Sequence, residues 1–428
     1  TQEYPSIRPT LDLNFAATKT LDRRITFTRD SVGTYTDELG IVRTAPNNAP
    51  RFDHDPATGE SLGLLIEESR TNLAKKSETL NNTTYWGQNY NVSAATAPSI
   101  TAPDGSTDTW KLVVANNTSQ QRFPLNSSQG TFTPNTYTWS VFAKAAEYSY
   151  LGISLYDGNY YRATFNLSNG TTSNVFSATA KITPYPNGWY RCSITATTQN
   201  NLRNNQNYAD AFWPYATDST AGAQQTGNGT SGVYVWGPQL EVGSFPTSYV
   251  TTGDSTSTVT RAIDIAKITG TNFTDFYNQT EGTFFVEADT INPTYTTDLP
   301  NFDGNNNNYT IVGTGDSPNR FQLRFDDAET YQVLGFGPNS TTAITTNIPN
   351  VSASLRAKIA GAVKQNDVRG AAQGQIILTD TSFDMISPTS LFIGSLDGSS
   401  EIFPGHIRKV SYYKQALPNA QLQGLTQQ

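Results

Sequence analysis

The chain has 428 residues, of which 36% are hydrophobic, 11% aromatic and 15% charged, with a net charge of −8 and a pI of about 4.9. This length is sufficient for about two or three domains of ~150 residues, and the acidic balance without a Lys/Arg cluster excludes a typical nucleic acid binder. A single cysteine, Cys192, excludes an intrachain disulfide framework, and no apolar run is long enough to span a bilayer.

Residues 1–75 are predicted to form short strands and turns around LDLNF, RITFTR, GTYTDELGIVR and LGLLIEESRTNL. The segment begins with TQEYPSIRPT, which has no basic region followed by an apolar region, so we expect no secretory signal there. It looks too small for a good core of its own. We therefore expect it to pack on the next domain, on a partner subunit or on a larger assembly, as an attachment segment.

Residues 76–250 show period-two alternation, which is typical of strands. One face of YTWSVFAKA (137–145) is apolar, whereas Thr138 and Ser140 lie on the other face. YRCSITAT (190–197) alternates in the same way, as does FQLRF further along the chain. This pattern predicts antiparallel sheets with one packed side and one solvent-facing side, and hence a first sandwich over this range.

The end of that range is more apolar. VYVW (233–236) predicts a closing strand that is buried on both faces. TTGDSTSTVT (251–260) has no apolar face, which predicts a surface linker. A new core begins at RAIDIAKI and GTFFVEAD, so we expect a second sandwich over 261–428. LPNAQLQGL (417–425) is predicted to form a helix, with Pro418 at its first position.

Turn signals separate the predicted strands. Asn-Gly and Asp-Gly dipeptides accept the positive φ angles of tight hairpins, and they begin at Asp104, Asp157, Asn169, Asn187, Asn228, Asp303 and Asp397. Short strands separated by turns predict β-sandwiches, and there is no 20–50-residue repeat or heptad pattern. The predicted fold is all-β: two tandem antiparallel sandwiches after an N-terminal strand-and-turn segment, with one short C-terminal helix.

Several stretches resemble structural proteins of tailed bacteriophages. Residues 11–73 are similar to an N-terminal block of such proteins, and NGWYRCSITAT with VYVWGPQLEVGSFPTSYVTT resembles the end of a carbohydrate-binding-module-like jelly roll. EGTFFVEAD (281–289), LRAKIAGAVKQNDVRGAAQG (355–374) and FPGHIRKVSYYKQALPNAQLQGL (403–425) are similar to concanavalin A-like (laminin G-like) sandwiches. Together these stretches cover most of the chain.

The resemblance implies a protein on the virion surface that is synthesised and assembled in the host cytoplasm. Tail fibres, receptor-binding modules and head decorations are the roles it suggests, with host-surface glycans and other virion proteins as partners. Homotrimers follow by analogy with phage appendages. A purely structural decoration or vertex protein, and a glycan-degrading spike enzyme, are the alternatives, and the resemblance transfers no catalytic residue to this chain.

The residues that most often carry catalysis are sparse. The two histidines, His54 and His406, are far apart and match no metal-binding pattern, so we expect a turn residue and a strand residue. Cys192 lies on the apolar face of its strand, which predicts a buried, inert thiol. There is no GxSxG motif. These observations indicate that the protein is not an enzyme.

Carboxylate pairs could hydrolyse glycans if two of them faced each other across a cleft. Asp326 and Asp327 are adjacent, so on a strand they would point to opposite faces. A distant pair such as Glu287 and Asp380 is left open by the sequence.

One loop resembles the start of a calcium site. Asp303, Asn305 and Asn307 in FDGNNNNY (302–309) have the alternate spacing of an EF-hand loop, but the sixth position is not Gly and the twelfth, Thr314, is not Glu. A polar hairpin tip is the default interpretation, so we expect no cofactor, with calcium as the alternative.

Aromatic side chains form the candidate glycan site. Aromatic faces stack on sugars while polar side chains orient the hydroxyls, and the predicted ligand-binding residues are Tyr160, Tyr161, Tyr208, Asp210, Trp213 and Tyr215. The alternative is that these aromatic residues are core residues, because they bury large apolar surfaces.

Overall fold

The computed structural model describes residues 3–87, 90–202, 210–290, 308–316, 319–325, 331–337, 340–346, 356–376, 381 and 383–427. The predicted Tyr208, Asp303, Asn305, Asn307, Asp326, Asp327 and Asp380 lie outside these ranges. Within the described residues, strands dominate, as the period-two patterns predict. None of the helices there is long and apolar enough to cross a membrane.

The N-terminal segment contains short strands and one helical turn. In chain order its elements are β1 (Leu11–Asn14), α1 (Phe15–Thr18), β2 (Thr26–Thr28), β3 (Gly33–Thr36), β4 (Val42–Ala45), β5 (Phe52–His54), β6 (Ser61–Ile66) and β7 (Arg70–Asn72). Helix α1 is a single turn because Asn14 Oδ1 accepts the Ala17 N–H at its start and Lys19 leaves the helix with φ 49°.

The first sandwich follows. Its strands are β8 (Val92–Thr96), β9 (Trp110–Val114), β10 (Thr118–Gln120), β11 (Phe123–Pro124), β12 (Thr136–Ala145), β13 (Tyr150–Tyr156), β14 (Tyr160–Asn166), β15 (Thr171–Phe176), β16 (Thr179–Tyr185), β17 (Trp189–Thr197), β18 (Ala211–Tyr215), β19 (Gln224–Thr226) and β20 (Gly232–Val242). One antiparallel sheet has the order β11-β18-β13-β14-β15 and the other β16-β17-β12-β20-β9-β8. Trp139 of one sheet stacks on Phe212 of the other at 4.7 Å in the core between them.

The second sandwich contains β21 (Val259–Arg261), β22 (Ile265–Thr269), α2 (Thr271–Thr274), β23 (Glu281–Thr290), β24 (Tyr309–Asp316), β25 (Asn319–Phe325), β26 (Tyr331–Gly337), β27 (Ser340–Thr346), β28 (Arg356–Lys364), β29 (Asp367–Ala372), β30 (Gln375–Ile376), β31 (Ser390–Ile393), β32 (Gly405–Tyr413) and α3 (Asn419–Thr426). Its sheets have the orders β30-β29-β28-β23-β32-β6-β5, with β1 also beside β32, and β2-β22-β31-β24-β25-β26-β27.

The N-terminal segment is therefore built into the second sandwich. Strand β1 pairs with β32 in the register Leu11↔Tyr412, and β6 pairs with the start of β32 in the register Leu64↔Ile407. The apolar side chains of these strands join the core of the second sandwich, which satisfies the segment's need for a core. The attachment role of residues 1–75 stays a prediction.

The predicted strands are confirmed at β12, β17 and β25, but the solvent-facing side predicted for β12 is wrong. Thr138 and Ser140 are fully buried. Thr138 Oγ1 donates to the Gly243 carbonyl at 2.8 Å, and Ser140 Oγ accepts from Arg191 Nη2 at 3.3 Å. Both faces of β12 are thus covered, and these two polar side chains are satisfied by hydrogen bonds rather than by water.

The residues of the predicted surface linker are exposed or half-buried, with one exception. Thr252 is buried, where its hydroxyl accepts the Ser77 N–H at 2.9 Å and donates to the Ala74 carbonyl at 2.9 Å. The last two linker residues belong to β21, which pairs with β7. A polar segment without an apolar face can therefore still be anchored through its hydroxyl groups.

The predicted C-terminal helix is confirmed as α3, with Pro418 at the capping position just before the first helical residue. Leu422 of this helix is buried in a small cluster with Phe285 and Tyr413 on the outer side of the second sandwich.

A buried charge network joins the parts of the chain. Its ion pairs are Arg51–Glu67 (2.7 Å), Arg29–Asp264 (3.1 Å), Arg261–Glu67 (3.4 Å) and Arg51–Asp264, and none of these side chains is more than 1% exposed. The Ser248 N–H, from the end of the first sandwich after β20, donates to Glu67 at 2.7 Å. Because the members come from both sandwiches and the N-terminal segment, the network holds the three in one arrangement.

Candidate functional site

The outer side of the sheet β11-β18-β13-β14-β15 carries most of the predicted ligand-binding residues. Successive side chains of a strand point to opposite faces. On β13, Leu151 and Ile153 therefore enter the core, whereas Gly152 and Ser154 face outward beneath Trp213 of β18. Ligand binding on this face requires aromatic rings that are exposed to solvent.

Trp213 and Tyr215 do not present their rings to solvent. Both are fully buried, in a small cluster with Ala221. The Trp213 indole N–H donates to Ser154 Oγ at 2.8 Å, and the Tyr215 hydroxyl accepts the Gly222 N–H at 3.1 Å. The segment after β18 folds back over the sheet and covers both rings, so in this conformation they act as core residues.

Tyr161 and Asp210 are also internal. Tyr161 is buried, and its hydroxyl donates to Asp157 Oδ2 at 3.2 Å. Asp210 is fully buried; its Oδ1 accepts the Tyr156 N–H at 2.8 Å, and its Oδ2 has no hydrogen-bond partner among the described residues. Burial, with a smaller contribution from the Asp157 charge, raises the pKa of Asp210 to about 7. Both side chains are buried in this structure. Sugar contact by these two residues stays a prediction.

Tyr160 differs from the other candidates because it is only half-buried. Its ring lies 4.9 Å from the Tyr156 ring, and the Arg162 guanidinium lies 4.9 Å from its centroid. Arg162 also lies 5.5 Å from the ring of Phe176, which is 53% exposed. We call Tyr156, Tyr160, Arg162 and Phe176 the arginine–aromatic patch.

The patch is held by its neighbours. Arg162 donates to the Ala221 carbonyl at 2.8 Å, which positions the guanidinium between the two rings. Gly222, in the loop that passes over the patch, has φ +99°, a backbone conformation that favours glycine.

Polar side chains lie on the same edge of the sheet. Asp218 accepts hydrogen bonds from Ser173 Oγ at 2.6 Å and from Asn174 Nδ2 at 2.8 Å, and all three groups are near the surface. An exposed ring, a guanidinium and a group of short polar side chains are what a site for a polar, partly apolar ligand requires.

The sequence predicted only part of this patch. Tyr160 was predicted from its neighbourhood, but Arg162 and Phe176 were not. The sequence contains a signal for Arg162: on β14, Tyr160 and Arg162 are two residues apart and so share a face. In the structure, Arg162 is paired with Phe176 on the neighbouring strand β15.

The other reactive side chains are structural. His54 is the last residue of β5, so the turn predicted for it is wrong, and its Nδ1 lies 3.1 Å from the Thr36 carbonyl. His406 lies in β32 as predicted, and its Nε2 lies 2.8 Å from Asp53 Oδ2. Cys192 is buried as predicted, and burial raises the pKa of its thiol well above the usual value. Glu287 lies 3.5 Å from Arg356 Nε. In the described part of the chain, no group of three or more His, Cys, Asp or Glu is arranged to hold a metal ion.

The structure is therefore an all-β protein of two sandwiches, with the arginine–aromatic patch on the surface of the first. No family model and no curated protein matches the sequence. Among solved structures, a CBM40 domain of the Ruminococcus gnavus IT-sialidase is 15% identical, over 35% of this chain and 84% of that one, with a TM-score of 0.28.

Two further structures are similar at the same level. Domain 4 of the arabinanase AbnA from Geobacillus stearothermophilus, in complex with arabinotriose, is 14% identical over 39% of this chain and 73% of that one, with a TM-score of 0.26. The receptor-binding domain of botulinum neurotoxin type G is 9% identical over 37% of this chain and 38% of that one, with a TM-score of 0.29. TM-scores this low support no conclusion about function.

Proposed function

We propose that this protein is a non-catalytic surface component of a tailed-phage virion, and that its first sandwich binds glycans of the host surface. The arginine–aromatic patch is the observation that carries the binding role. A half-exposed Phe176 ring offers an apolar face for a sugar, and Arg162 offers the guanidinium N–H donors that are not bound to the Ala221 carbonyl. Both are mounted on adjacent strands of a packed sheet, which fixes their spacing.

The virion role is supported by the resemblance of residues 11–73 and of QLEVGSFPTSYV (239–250) to phage structural proteins. Host-cytoplasm assembly, contacts with other virion proteins and a trimeric state belong to the same proposal. The proposal includes no catalytic step; it is supported by the hydrogen-bonding contacts of the two histidines and by the burial of the Cys192 thiol.

A glycan array with the purified full chain tests the binding role. We expect saturable binding that Phe176→Ala and Arg162→Gln each weaken by about tenfold or more, equivalent to ~1.4 kcal/mol. Val175→Ala is the matched control, because Val175 is similarly exposed and adjacent in the chain. Absence of binding to every glycan and to host cells would reject the binding role.

A structural decoration role is the second candidate. Val175 and Phe176 are exposed apolar residues on β15, which lies at the end of its sheet, and such a surface also suits protein contacts. Stable incorporation into particles without glycan binding would favour this candidate. Immunogold labelling of particles would show whether head or tail carries the chain, and release of reducing sugar from host polysaccharide would contradict the non-catalytic proposal.

A further inference from the structure

A cavity of about 110 Å³, partly open to solvent, lies where the N-terminal segment meets both sandwiches. Phe142, Tyr185 and Arg191 of the first sandwich form part of its wall, and Asp53 and His406 form another part. This cavity opens next to the sheet β16-β17-β12-β20-β9-β8, whereas the arginine–aromatic patch lies on the other sheet of the first sandwich. The two sites are therefore independent.

The carboxylates of the cavity wall are already engaged. Asp53 Oδ1 accepts the Thr36 N–H at 2.6 Å, and its Oδ2 lies 2.8 Å from His406 Nε2. Glu67, which also lines the cavity, is 2.7 Å from Arg51 and 3.4 Å from Arg261. Neither acid is left to neutralise a further cation.

Arg191 is the cationic side chain of the cavity wall that these two acids do not neutralise. Among the described residues it has no carboxylate within ion-pair distance, and its one side-chain hydrogen bond is from Nη2 to Ser140 Oγ at 3.3 Å. Its Nε is buried and has no hydrogen-bond partner there. The guanidinium lies 5.4 Å from the centre of the Phe142 ring, which restrains its orientation without satisfying its N–H donors.

We propose that this cavity is an anion-binding site, in which Arg191 holds a single carboxylate or phosphate group. A guanidinium binds both groups through parallel N–H···O hydrogen bonds, and such charge-assisted bonds are stronger than those between neutral groups. The volume is below the ~300–1,000 Å³ of pockets that enclose whole small molecules. It suits one oxyanion, either free or at the end of a larger molecule that remains outside.

Titration calorimetry and thermal unfolding of the full chain with inorganic phosphate, and separately with acetate, test the proposal at constant ionic strength against chloride. We expect saturable binding of at least one of the two anions and a rise in the melting temperature. Arg191→Gln should weaken binding at least tenfold, and Arg191→Lys should bind with intermediate affinity, because it keeps the charge but loses the planar donor pair.

Arg23→Gln is the matched control, since Arg23 is an exposed arginine that does not line the cavity; this variant should bind the anion like the wild type. Binding of phosphate alone would identify a phosphate group as the ligand, and binding of acetate alone a carboxylate. The proposal is overturned if neither anion binds beyond the effect of chloride. It is equally overturned if the folded Arg191→Gln or Arg191→Lys variant binds as tightly as the wild type.

Discussion

Arg51 and Glu67 form an ion pair of 2.7 Å in which neither side chain is exposed to solvent. Both belong to the N-terminal segment, yet Arg51 also pairs with Asp264 and Glu67 accepts the Ser248 N–H. The pair thus lies where both sandwiches and the N-terminal segment meet. Removing one partner would leave an uncompensated charge in the interior, which makes this junction sensitive to substitution.

Glu67→Gln should therefore be strongly destabilising. We expect a loss of about 3–5 kcal/mol in the free energy of unfolding, because Arg261 would remain buried without its carboxylate and Arg51 would keep only Asp264. Chemical denaturation at pH 7 measures this difference. Lys19→Gln is the control: it breaks the Lys19–Glu38 pair, whose side chains are 42% and 65% exposed, and should cost less than about 1 kcal/mol. Equal effects of the two substitutions would contradict the assigned role of the network.

The effect of Glu67→Gln should also depend on pH. Burial by itself would raise the pKa of Glu67, but the charges of Arg261 and Arg51 outweigh it and hold that pKa below the usual 4.5. A carboxyl group whose pKa is lower in the folded than in the unfolded state stabilises the fold at pH values above its unfolded pKa. This contribution is lost as the pH falls toward the folded pKa. We expect the stability difference between wild type and variant to shrink from pH 7 to pH 3, as measured by urea denaturation. A constant difference would argue against an ionised Glu67.

Asp210 should have the opposite pH dependence. Its folded pKa of about 7 lies above the usual 3.8, so between these values the folded state holds a proton that the unfolded state has released. Stability should fall as the pH rises from about 4 to 7, by up to about 4 kcal/mol. Asp210→Asn should remove this slope in unfolding experiments, whereas substitution of the exposed Asp218 by Asn should retain it. The assignment fails if Asp210→Asn leaves the slope unchanged.

Among the aromatic residues of the first sandwich, Trp213 lies in the core and Phe176 at the surface. Their substitution should therefore affect stability differently. Trp213→Ala should cost about 3–5 kcal/mol in unfolding free energy, because the side chain is fully buried. Phe176→Ala should change stability by about 0.5 kcal/mol or less. Thermal unfolding by circular dichroism measures both. A small loss for Trp213→Ala would mean that its ring is not packed as the structure shows.

Much of the fold was predictable because strand formation is signalled locally. Alternation in YTWSVFAKA and YRCSITAT predicted β12 and β17, and Asn-Gly at Asn169 and Asn187 predicted the turns that follow β14 and β16. The covered outer face of β12 was not predictable. Thr138 and Ser140 have the polarity of surface residues, and their burial depends on Gly243 and Arg191, which lie far along the chain.

The candidate site shows the same division. The sequence identified a segment rich in aromatic residues, but the position of each ring depends on how the chain folds back after β18. Trp213 and Tyr215 are covered by that segment, whereas Tyr160 remains at the surface beside Arg162. Aromatic residues serve equally well in a core and at a surface, so composition alone cannot distinguish the two.

By itself, the sequence determined the class of structure: period-two patterns and turn dipeptides dictate antiparallel strands, because both act between residues a few positions apart. Tertiary structure alone decided that Leu11 pairs with Tyr412, that Arg51, Glu67 and Asp264 share one buried network, and that Arg191 faces a cavity without a carboxylate partner among the described residues. These relationships join residues distant in the chain. They arise from which surfaces fit together once the strands exist, and no local pattern encodes that fit.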